Sequence, residues 1–576
     1  MNSNPASAPS SANANQQRAA RWHRLCSDEV FDLLVIGGGA TGLGVAVDAA
    51  NRGLNVALIE AEDFAKGTSS RATKLLHGGV RYLAQGNVPL VREALHERTT
   101  LMTNAPHLAQ PLPFVMPVYG RRGLLFYKWF YGAGLVLYDF LAGKAGLGKT
   151  RFLSRAQTLA EMPGVRADNL SGAVRYWDGQ FDDARLAVTL ARTAQRAGAT
   201  VLNHCRASDL IHNDNGQVAG AAICDQETGS TGTVKARCVV NAAGVWVDAV
   251  RRMDKADSQT MVAPSQGVHI VVDQSFLPGI NALLVPKTQD GRVLFAVPWL
   301  GRLILGTTDT PRDNLDAEPS AFHDEVEFIL GESARYLAKA PTRDDVLSIW
   351  VGLRPLVKPP DEGSGNTKAL SREHTVLVGA SGLVTVTGGK WTTYRAMAED
   401  VLTECISHQL IADKPAGGTI KLALVGSTDQ QATRPLCEAP GLHNYGSDAA
   451  TIIGLPGADR ELAPGFSEAM VRFAVRHEFA RTVEDVLARR SRLLFTDART
   501  AMTLAEPVAA ILADELGESV AAVNLRRCKL NPRHQASGSE STCCARSRSA
   551  FWPWPPACHP CHSGWSTSVS RRRGYN

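Results

Sequence analysis

Gly37, Gly39 and Gly42 stand at the spacing that lets a backbone turn wrap a pyrophosphate, within the run Asp32-Leu33-Leu34-Val35-Ile36-Gly37-Gly38-Gly39-Ala40-Thr41-Gly42-Leu43-Gly44. Gly37 permits the tight turn and Gly39 lets the main chain approach the phosphates. Gly42 allows a helix to pack closely on the preceding strand, and the helix N-terminus faces the negative charge. The unit ends at Asn55-Val56-Ala57-Leu58-Ile59-Glu60, a second strand closing on a carboxylate that can accept from a ribose hydroxyl. Strand, glycine turn, helix, strand and acid in this order predict a dinucleotide site. The spacing leaves NAD and FAD both open.

The next segment separates them. Gly67 to Tyr82 is rich in hydroxyls and glycine, with Thr68, Ser69, Ser70, Lys74, His77, Gly78 and Gly79, where a nicotinamide domain usually continues as a plain helix. Such a run can line an extended flavin. This stretch, together with Leu353-Arg354-Pro355-Leu356 and Gly388-Gly389-Lys390-Trp391-Thr392-Thr393-Tyr394-Arg395, resembles the aerobic, FAD-dependent glycerol-3-phosphate dehydrogenases, in family order over roughly residues 30–520. The resemblance implies an α/β fold: an FAD-binding Rossmann-like domain, an inserted antiparallel β-sheet substrate domain and a helical C-terminal domain. It also implies oxidation of sn-glycerol 3-phosphate to dihydroxyacetone phosphate by hydride transfer to FAD, with electrons passing to membrane quinone. Two alternatives stay open, an oxygen-reducing glycerol-phosphate oxidase and a flavin-binding interaction protein without turnover. No cysteine or histidine lies in a defensible flavinylation motif, so FAD is expected to be held noncovalently.

Such a reaction needs a cationic phosphate pocket, a proton acceptor and a positioned flavin. Arg81, Arg354 and Arg372 are the phosphate candidates, because guanidinium groups bind phosphate through paired donors and stay charged. In the resembling family the arginines matching Arg81, in His-Gly-Gly-Val-Arg-Tyr, and Arg354 contact the substrate; Tyr82 is carried with Arg81. His269 is the first choice of base, since imidazole titrates near operating pH and its neighbourhood is expected to face the pocket; His77 is the second. Lys390, between Gly388-Gly389 and a helix, can stabilise negative charge on reduced flavin, with Thr392 beside it. The strand-turn Cys238-Val239-Val240-Asn241-Ala242-Ala243-Gly244 can also approach the cofactor closely, through Ala243 and Gly244.

Apolar periodicity places these residues. The expected layout is a disordered extension at 1–29 and a first FAD-binding part at 30–110, then a substrate- or membrane-facing insertion at 111–179. A second FAD-binding part follows at 180–260, a substrate domain at 261–350 and a final FAD-binding part at 351–405. A helical C-terminal domain at 406–524 and an irregular basic tail at 525–576 complete it. Val293–Pro298 and Leu303–Thr308 flank the turn Trp299-Leu300-Gly301-Arg302 as a hairpin, Glu325 to Ala338 reads as a helix, and Val483 to Leu494 reads as an amphipathic helix.

The 576 residues carry a formal charge of +5, but the tail from Leu525 holds nine basic residues against Glu540 alone. The chain before it is therefore slightly acidic, which removes global basicity as a reason to expect nucleic acid. The N-terminal stretch lacks the apolar core of a secretory signal, and the cysteines before the tail are scattered as in a reducing compartment. Cys558-His559-Pro560-Cys561-His562 formally matches a haem attachment motif, beside Cys543 and Cys544. Its surroundings have no helix or strand period, so the match reads as accidental and no metal site is assigned. Arg121 to Phe140 is aromatic and apolar, but Lys128 and Asp139 interrupt it short of the roughly 20 apolar residues a span needs. Its cations beside Trp and Tyr suit docking at a membrane surface, on the cytoplasmic face of the membrane. A homodimer is left open.

Overall fold

Asn13 and Gln16 close a capping box, Gln16 N donating to Asn13 Oδ1 at 2.9 Å and Asn13 N to Gln16 Oε1 at 3.1 Å. They start helix α1 (Ala14–Leu25) in a computed structural model that describes residues 13–78, 88–120, 134, 138, 141, 143–358, 374–429 and 433–529. The helix corrects the reading of this stretch as disordered. Its Arg18 is buried and donates to Asn203 O at 2.8 Å and Asp225 Oδ1 at 2.9 Å, so the helix is docked by charge as well as by Leu25. Glu227 gathers Arg18, Arg481 and Arg526 from three separate segments; against the cost of burial, Arg18 and Arg481 hold its carboxyl down at about 2.

The dinucleotide unit forms as β1 (Val30–Ile36), α2 (Ala40–Asn51) and β2 (Val56–Ile59). The chain continues through β3 (Leu75–Leu76), α3 (Val88–Asn104), β4 (Ala109–Tyr119), β5 (Arg151–Ser154), α4 (Arg155–Glu161) and β6 (Leu170–Phe181). Next come α5 (Asp183–Arg196), β7 (Thr200–Leu202), β8 (Cys205–His212), β9 (Val218–Asp225), β10 (Thr231–Asn241) and α6 (Val247–Asp254). Strands β11 (Val262–Asp273), β12 (Ala282–Val285), β13 (Leu294–Trp299), β14 (Arg302–Gly306) and β15 (Thr310–Pro311) precede α7 (His323–Tyr336) and β16 (Ser348–Val357). The chain then returns through β17 (His374–Val378), β18 (Val384–Gly388) and α8 (Tyr394–Ser407).

Two sheets result. In the first, the order β17-β18-β10-β1-β2-β7 makes β18, β10, β1, β2 and β7 parallel, with β9 and β8 attached beyond β10. Helices α2, α5 and α8 cover it with one apolar core that includes Leu43, Val47, Leu186, Leu190, Met397 and Val401. Parallel strands put their carboxyl ends on one edge, the edge where such sheets bind ligands. The second sheet runs β15-β11-β14-β13-β12-β4-β6-β3, with β16 on β11 and β5 on β6. One of its faces buries Val268, Ile270 and Val272 against Val326, Ile329 and Leu330 of α7.

The expected hairpin is β13–β14, turning at Leu300 and Gly301, and the expected helix from Glu325 is α7. β4 and β6, inside the stretch read as a separate insertion, belong to the same sheet as β11. The boundary drawn at residue 350 falls inside β16, which pairs with β11 from Val357↔Val262 to Ser348↔Val271. Its motif suggested the flavin domain, whereas cross-strand pairing assigns it to the substrate sheet.

The C-terminal helices α9 (Ala449–Ile453), α10 (Glu468–His477), α11 (Leu493–Thr496), α12 (Ala498–Thr503), α13 (Ala505–Leu516) and α14 (Val520–Lys529) surround a core containing Phe473, Val486, Val508 and Leu512. The run from Val483 to Leu494 is not one amphipathic helix. A π-helical turn at Asp485–Arg490 gives way to Arg492 at φ 64°, and the break turns three arginines inward. Among the described residues no helix is long and apolar enough to cross a membrane. Of the segment 121–140, Gly134 and Tyr138 are described; Tyr138 is buried, with its hydroxyl 3.4 Å from Arg98 Nη1.

Candidate active site

The carboxyl ends of β1, β2, β10 and β18 bring the glycine turn, Glu60, Ala243-Gly244 and Gly388-Gly389-Lys390 to one edge of the parallel sheet. Gly37 sits at φ 116°, and a Cβ there would fall 2.5 Å from Ala242 O; one on Gly42 would fall 2.0 Å from Gly37 O. The turn can therefore close only with hydrogen at both positions. Gly39 caps α2, so the free amides of that helix point out of the turn, and Ala40 N donates to Ser69 Oγ at 2.9 Å. Glu60 accepts from Gly38 N at 2.6 Å and Glu62 N at 2.8 Å, and burial with Glu62 and Asp63 nearby pushes its carboxyl above the usual range. Each oxygen keeps a second lone pair for a ribose hydroxyl. This cradle fits a dinucleotide pyrophosphate with its ribose.

The hydroxyl-rich loop bridges the two sheets. Thr68 Oγ1 donates to Leu353 O of β16 at 2.6 Å, Trp391 Nε1 donates to Ser69 O at 2.8 Å, and a Cβ on Gly67 would press on Trp246. Ser70 and Thr392 are buried. Gly388 and Gly389 adopt φ of 82° and 75°, turning the chain into α8, while Thr387 Oγ1 donates to Gly244 O at 3.3 Å. Lys390 is half-buried at this turn and acts electrostatically on Glu93.

On the second sheet, antiparallel register sets the candidate base. Directly opposed residues share a face, so Trp350, His269, Gly306 and Phe295 form one row across β16, β11, β14 and β13. His269 stacks on Trp350 with centroids 5.3 Å apart at 15°, and a Cβ on Gly306 would fall 2.5 Å from His269 Cδ2. Thr73 Oγ1 lies 2.9 Å from His269 Nε2 and fixes the ring. Burial, then Lys74, then Arg354 hold this imidazole well below its ordinary titration range, so it stays neutral and able to take a proton.

Two residues along the same face of β11 is Gly267, and the Arg354 guanidinium lies across it: a Cβ there would meet Arg354 Nη2 at 2.5 Å. Arg354 donates to Thr308 O at 3.0 Å and Thr307 Oγ1 at 3.2 Å and pairs with Asp309 at 3.3 Å, so the fork is held in place. The structure thus brings His269 and Arg354 together on the face turned away from α7. His77 is half-exposed, 3.9 Å from Asp178 and packed on Phe295 at the far end of the same row. Gly78 N donates to Asp178 Oδ1 at 3.0 Å.

Lys74, expected among the cofactor-contacting residues, is instead wholly buried, with Nζ donating to Asp183 Oδ2 at 2.7 Å and Ser70 O at 2.8 Å. Its left-handed backbone, φ 65°, turns the side chain into the core. Gly79, Arg81, Tyr82 and Arg372 lie outside the described residues. Thr73, Gly267, Asp309 and Trp350 were missed by sequence reasoning, although Gly352-Leu353-Arg354 and Thr307-Thr308-Asp309 stood next to residues it chose.

Asp63, His204 and Asp485 place three potential metal ligands within 4.8 Å of one another. Arg489 and Arg490 already engage Asp63, and Arg489 Nη2 donates to Asp485 Oδ1 at 2.8 Å, so the cluster is a buried ion network.

Comparisons with known proteins bear on the fold and the family. A family model described as FAD dependent oxidoreductase matches residues 32–395. One described as the C-terminal domain of alpha-glycerophosphate oxidase matches residues 373–523. A mitochondrial glycerol-3-phosphate dehydrogenase of Arabidopsis thaliana is 41% identical, covering 85% of this chain and 83% of the relative. One of Schizosaccharomyces pombe is 39% identical, covering 84% of each. The crystal structure of a glycerol-3-phosphate dehydrogenase from Bacillus halodurans complexed with FAD superposes with a TM-score of 0.71 at 29% identity, covering 91% of this chain and 100% of that one.

Proposed function

Because the chain belongs to the FAD-dependent glycerol-3-phosphate dehydrogenases, we propose that the face carrying His269, Gly267 and Arg354 binds sn-glycerol 3-phosphate as it is oxidised to dihydroxyacetone phosphate. The observation that carries this reading is the His269 imidazole on β11 with the Arg354 guanidinium, reaching from β16, laid over Gly267 two residues away on the same face, the base and the phosphate partner such a substrate needs. Gly37 to Gly42 would hold the pyrophosphate of FAD and Glu60 its ribose, and the bound flavin would supply the two-electron acceptor. Arg354 orients the substrate through its phosphate, and His269 takes the hydroxyl proton. Lys390 places a cation at the cofactor edge, where it offsets negative charge. Arg81, Tyr82 and Arg372 complete the substrate site in this reading, and His77 is the alternative base.

Anaerobic bleaching of bound flavin tests the reaction. Glycerol 3-phosphate should bleach it rapidly and unphosphorylated glycerol only slowly; a flavin that neither reduces would remove the catalytic reading. Arg354→Lys keeps the charge but loses the planar fork, at a cost of about 1.5–3 kcal/mol in transition-state binding of the phosphorylated substrate. The loss should be confined to that substrate. Equal losses with glycerol would make Arg354 a support of the fold instead.

Membrane quinone is the electron acceptor in this reading, reached by docking of Arg121–Phe140 on the inner face of the cytoplasmic membrane. The cations and rings of that segment support it. Replacing Trp129 and Phe130 by serine should lower membrane recovery and quinone-coupled turnover while soluble-dye reduction persists. Proportional loss of both activities would place the rings in the folded core, and stoichiometric peroxide would point to the oxidase.

A further inference from the structure

The loop that carries Thr73 to His269 also drives a cation into the core behind it. Lys74 is fully buried, and beyond Asp183 and Ser70 O its ammonium faces three aromatic rings. It lies 5.1 Å from the Trp350 ring centroid, 5.3 Å from Trp299 and 5.5 Å from Phe495. Trp350 is the ring on which His269 stacks. A second cation reaches the same carboxylate from the other end of the chain: Arg492 Nη2 donates to Asp183 Oδ1 at 2.9 Å and to Ser70 O at 3.0 Å, and Arg492 also approaches Asp182 at 3.3 Å. Lys74 and Arg492 both hold left-handed backbones, with φ of 65° and 64°. A non-glycine residue keeps such a conformation only when its surroundings fix it. The strain at both positions serves one meeting point, Asp183.

We infer that Lys74, held by Asp183, whose charge Arg492 of the C-terminal region shares, is a positioning residue that sets the charge beside His269 and keeps the imidazole in its proton-accepting form. The inference rests on His269 being the base of the proposed reaction. The charged groups around His269 bear it out. Arg354 approaches from β16 and is paired with Asp309. Glu325 of α7 lies behind β11 and is committed to Gln266 and Thr308. Asp183 is shared between two cations, which leaves the Lys74 ammonium incompletely cancelled next to the ring. Burial pushes Lys74 down to about 7, against the pull of Asp183, so on the acid side of neutrality it is charged when His269 must resist protonation.

The test is the pH dependence of the second-order rate of anaerobic flavin reduction by glycerol 3-phosphate, in FAD-loaded full-length protein. In Lys74→Met the acid limb should move up by about one pH unit; in Lys74→Arg, which keeps the cation, it should stay at the wild-type position. Arg492→Gln, altered on a different element, should move it the same way by less, and serves alone if Lys74→Met fails to bind flavin. A packing role would change the plateau rate and leave the limb in place, so an unmoved limb in either flavin-loaded variant overturns the inference. His269→Gln separates the two readings. A limb that vanishes there but stands still in Lys74→Met sinks only the role of Lys74, whereas a limb that survives in His269→Gln belongs to another group and both readings fall.

Discussion

His269→Gln is expected to slow anaerobic flavin reduction by roughly 10²–10⁴-fold, the usual contribution of a positioned general base, while FAD remains bound. The cofactor cradle lies on the other sheet, at the carboxyl ends of β1, β2, β10 and β18, so the substitution leaves it untouched. Glutamine can keep a hydrogen bond to Thr73, 2.9 Å from the imidazole, but it cannot accept the hydroxyl proton. The wild-type rate should be flat through neutral pH and fall only well below the ordinary histidine range, because the folded protein disfavours the imidazolium. Protonation removes the base, so activity is lost as pH falls, not as it rises. Stopped-flow reduction across pH measures both. A variant reducing its flavin at the wild-type rate would exclude His269 and turn attention to His77.

Much of this site is local and therefore legible in the chain. The glycine turn, α2 and the acid after β2 lie within one short unit whose spacing follows from strand and helix periods, and β13–β14 is a hairpin joined by a tight turn. What periodicity does not carry is which residues of distant strands oppose one another. Trp350 meets His269, and Gly267 makes room for Arg354, only because β16 pairs antiparallel with β11 in one register. A register shifted by one residue would turn all of them to the opposite face. Lys74 illustrates a different limit: its position in the hydroxyl-rich loop was evident, but its positive φ, which aims it inward, was not. Helix α1 had a usable signal in Asn13 and Gln16, outweighed by the polar composition around it.

Arg489, Arg490 and Arg492 expose the same limit at the C-terminal end, where a helical period hides which polar residues are buried. The π-helical turn and the break at Arg492 send all three guanidinium groups inward, toward the loop that follows β2. Asp63 in that loop receives Arg489 and Arg490, with Arg490 Nη2 on Oδ1 at 3.0 Å and Asn203 Nδ2 at 2.9 Å. The C-terminal region is thereby tied to residues three places beyond Glu60, so its integrity and that of the cofactor cradle are one problem.

Asp63→Asn should therefore destabilise the folded protein by about 3–5 kcal/mol, since it leaves two buried guanidinium groups short of a carboxylate. Arg489 keeps Glu484 and Asp485, each at 2.8 Å, whereas Arg490 retains only main-chain oxygens. Adding Arg490→Met should accordingly recover part of the loss, because it removes the cation left stranded. The neighbouring pair gives the network a pH window: His204 lies 3.0 Å from Asp485, which raises the imidazole against burial, while His204 and the arginines hold Asp485 well below its ordinary range. The histidine contribution is complete below its unfolded pKa of about 6.5 and is lost as pH rises through the higher folded value. The aspartate contribution is present above about 3.9 and is lost as pH falls toward the lower one. Stability from this network should peak on the acid side of neutrality. Chemical unfolding followed by flavin release would check it, and an Asp63→Asn midpoint equal to wild type would show that the arginines are satisfied without Asp63.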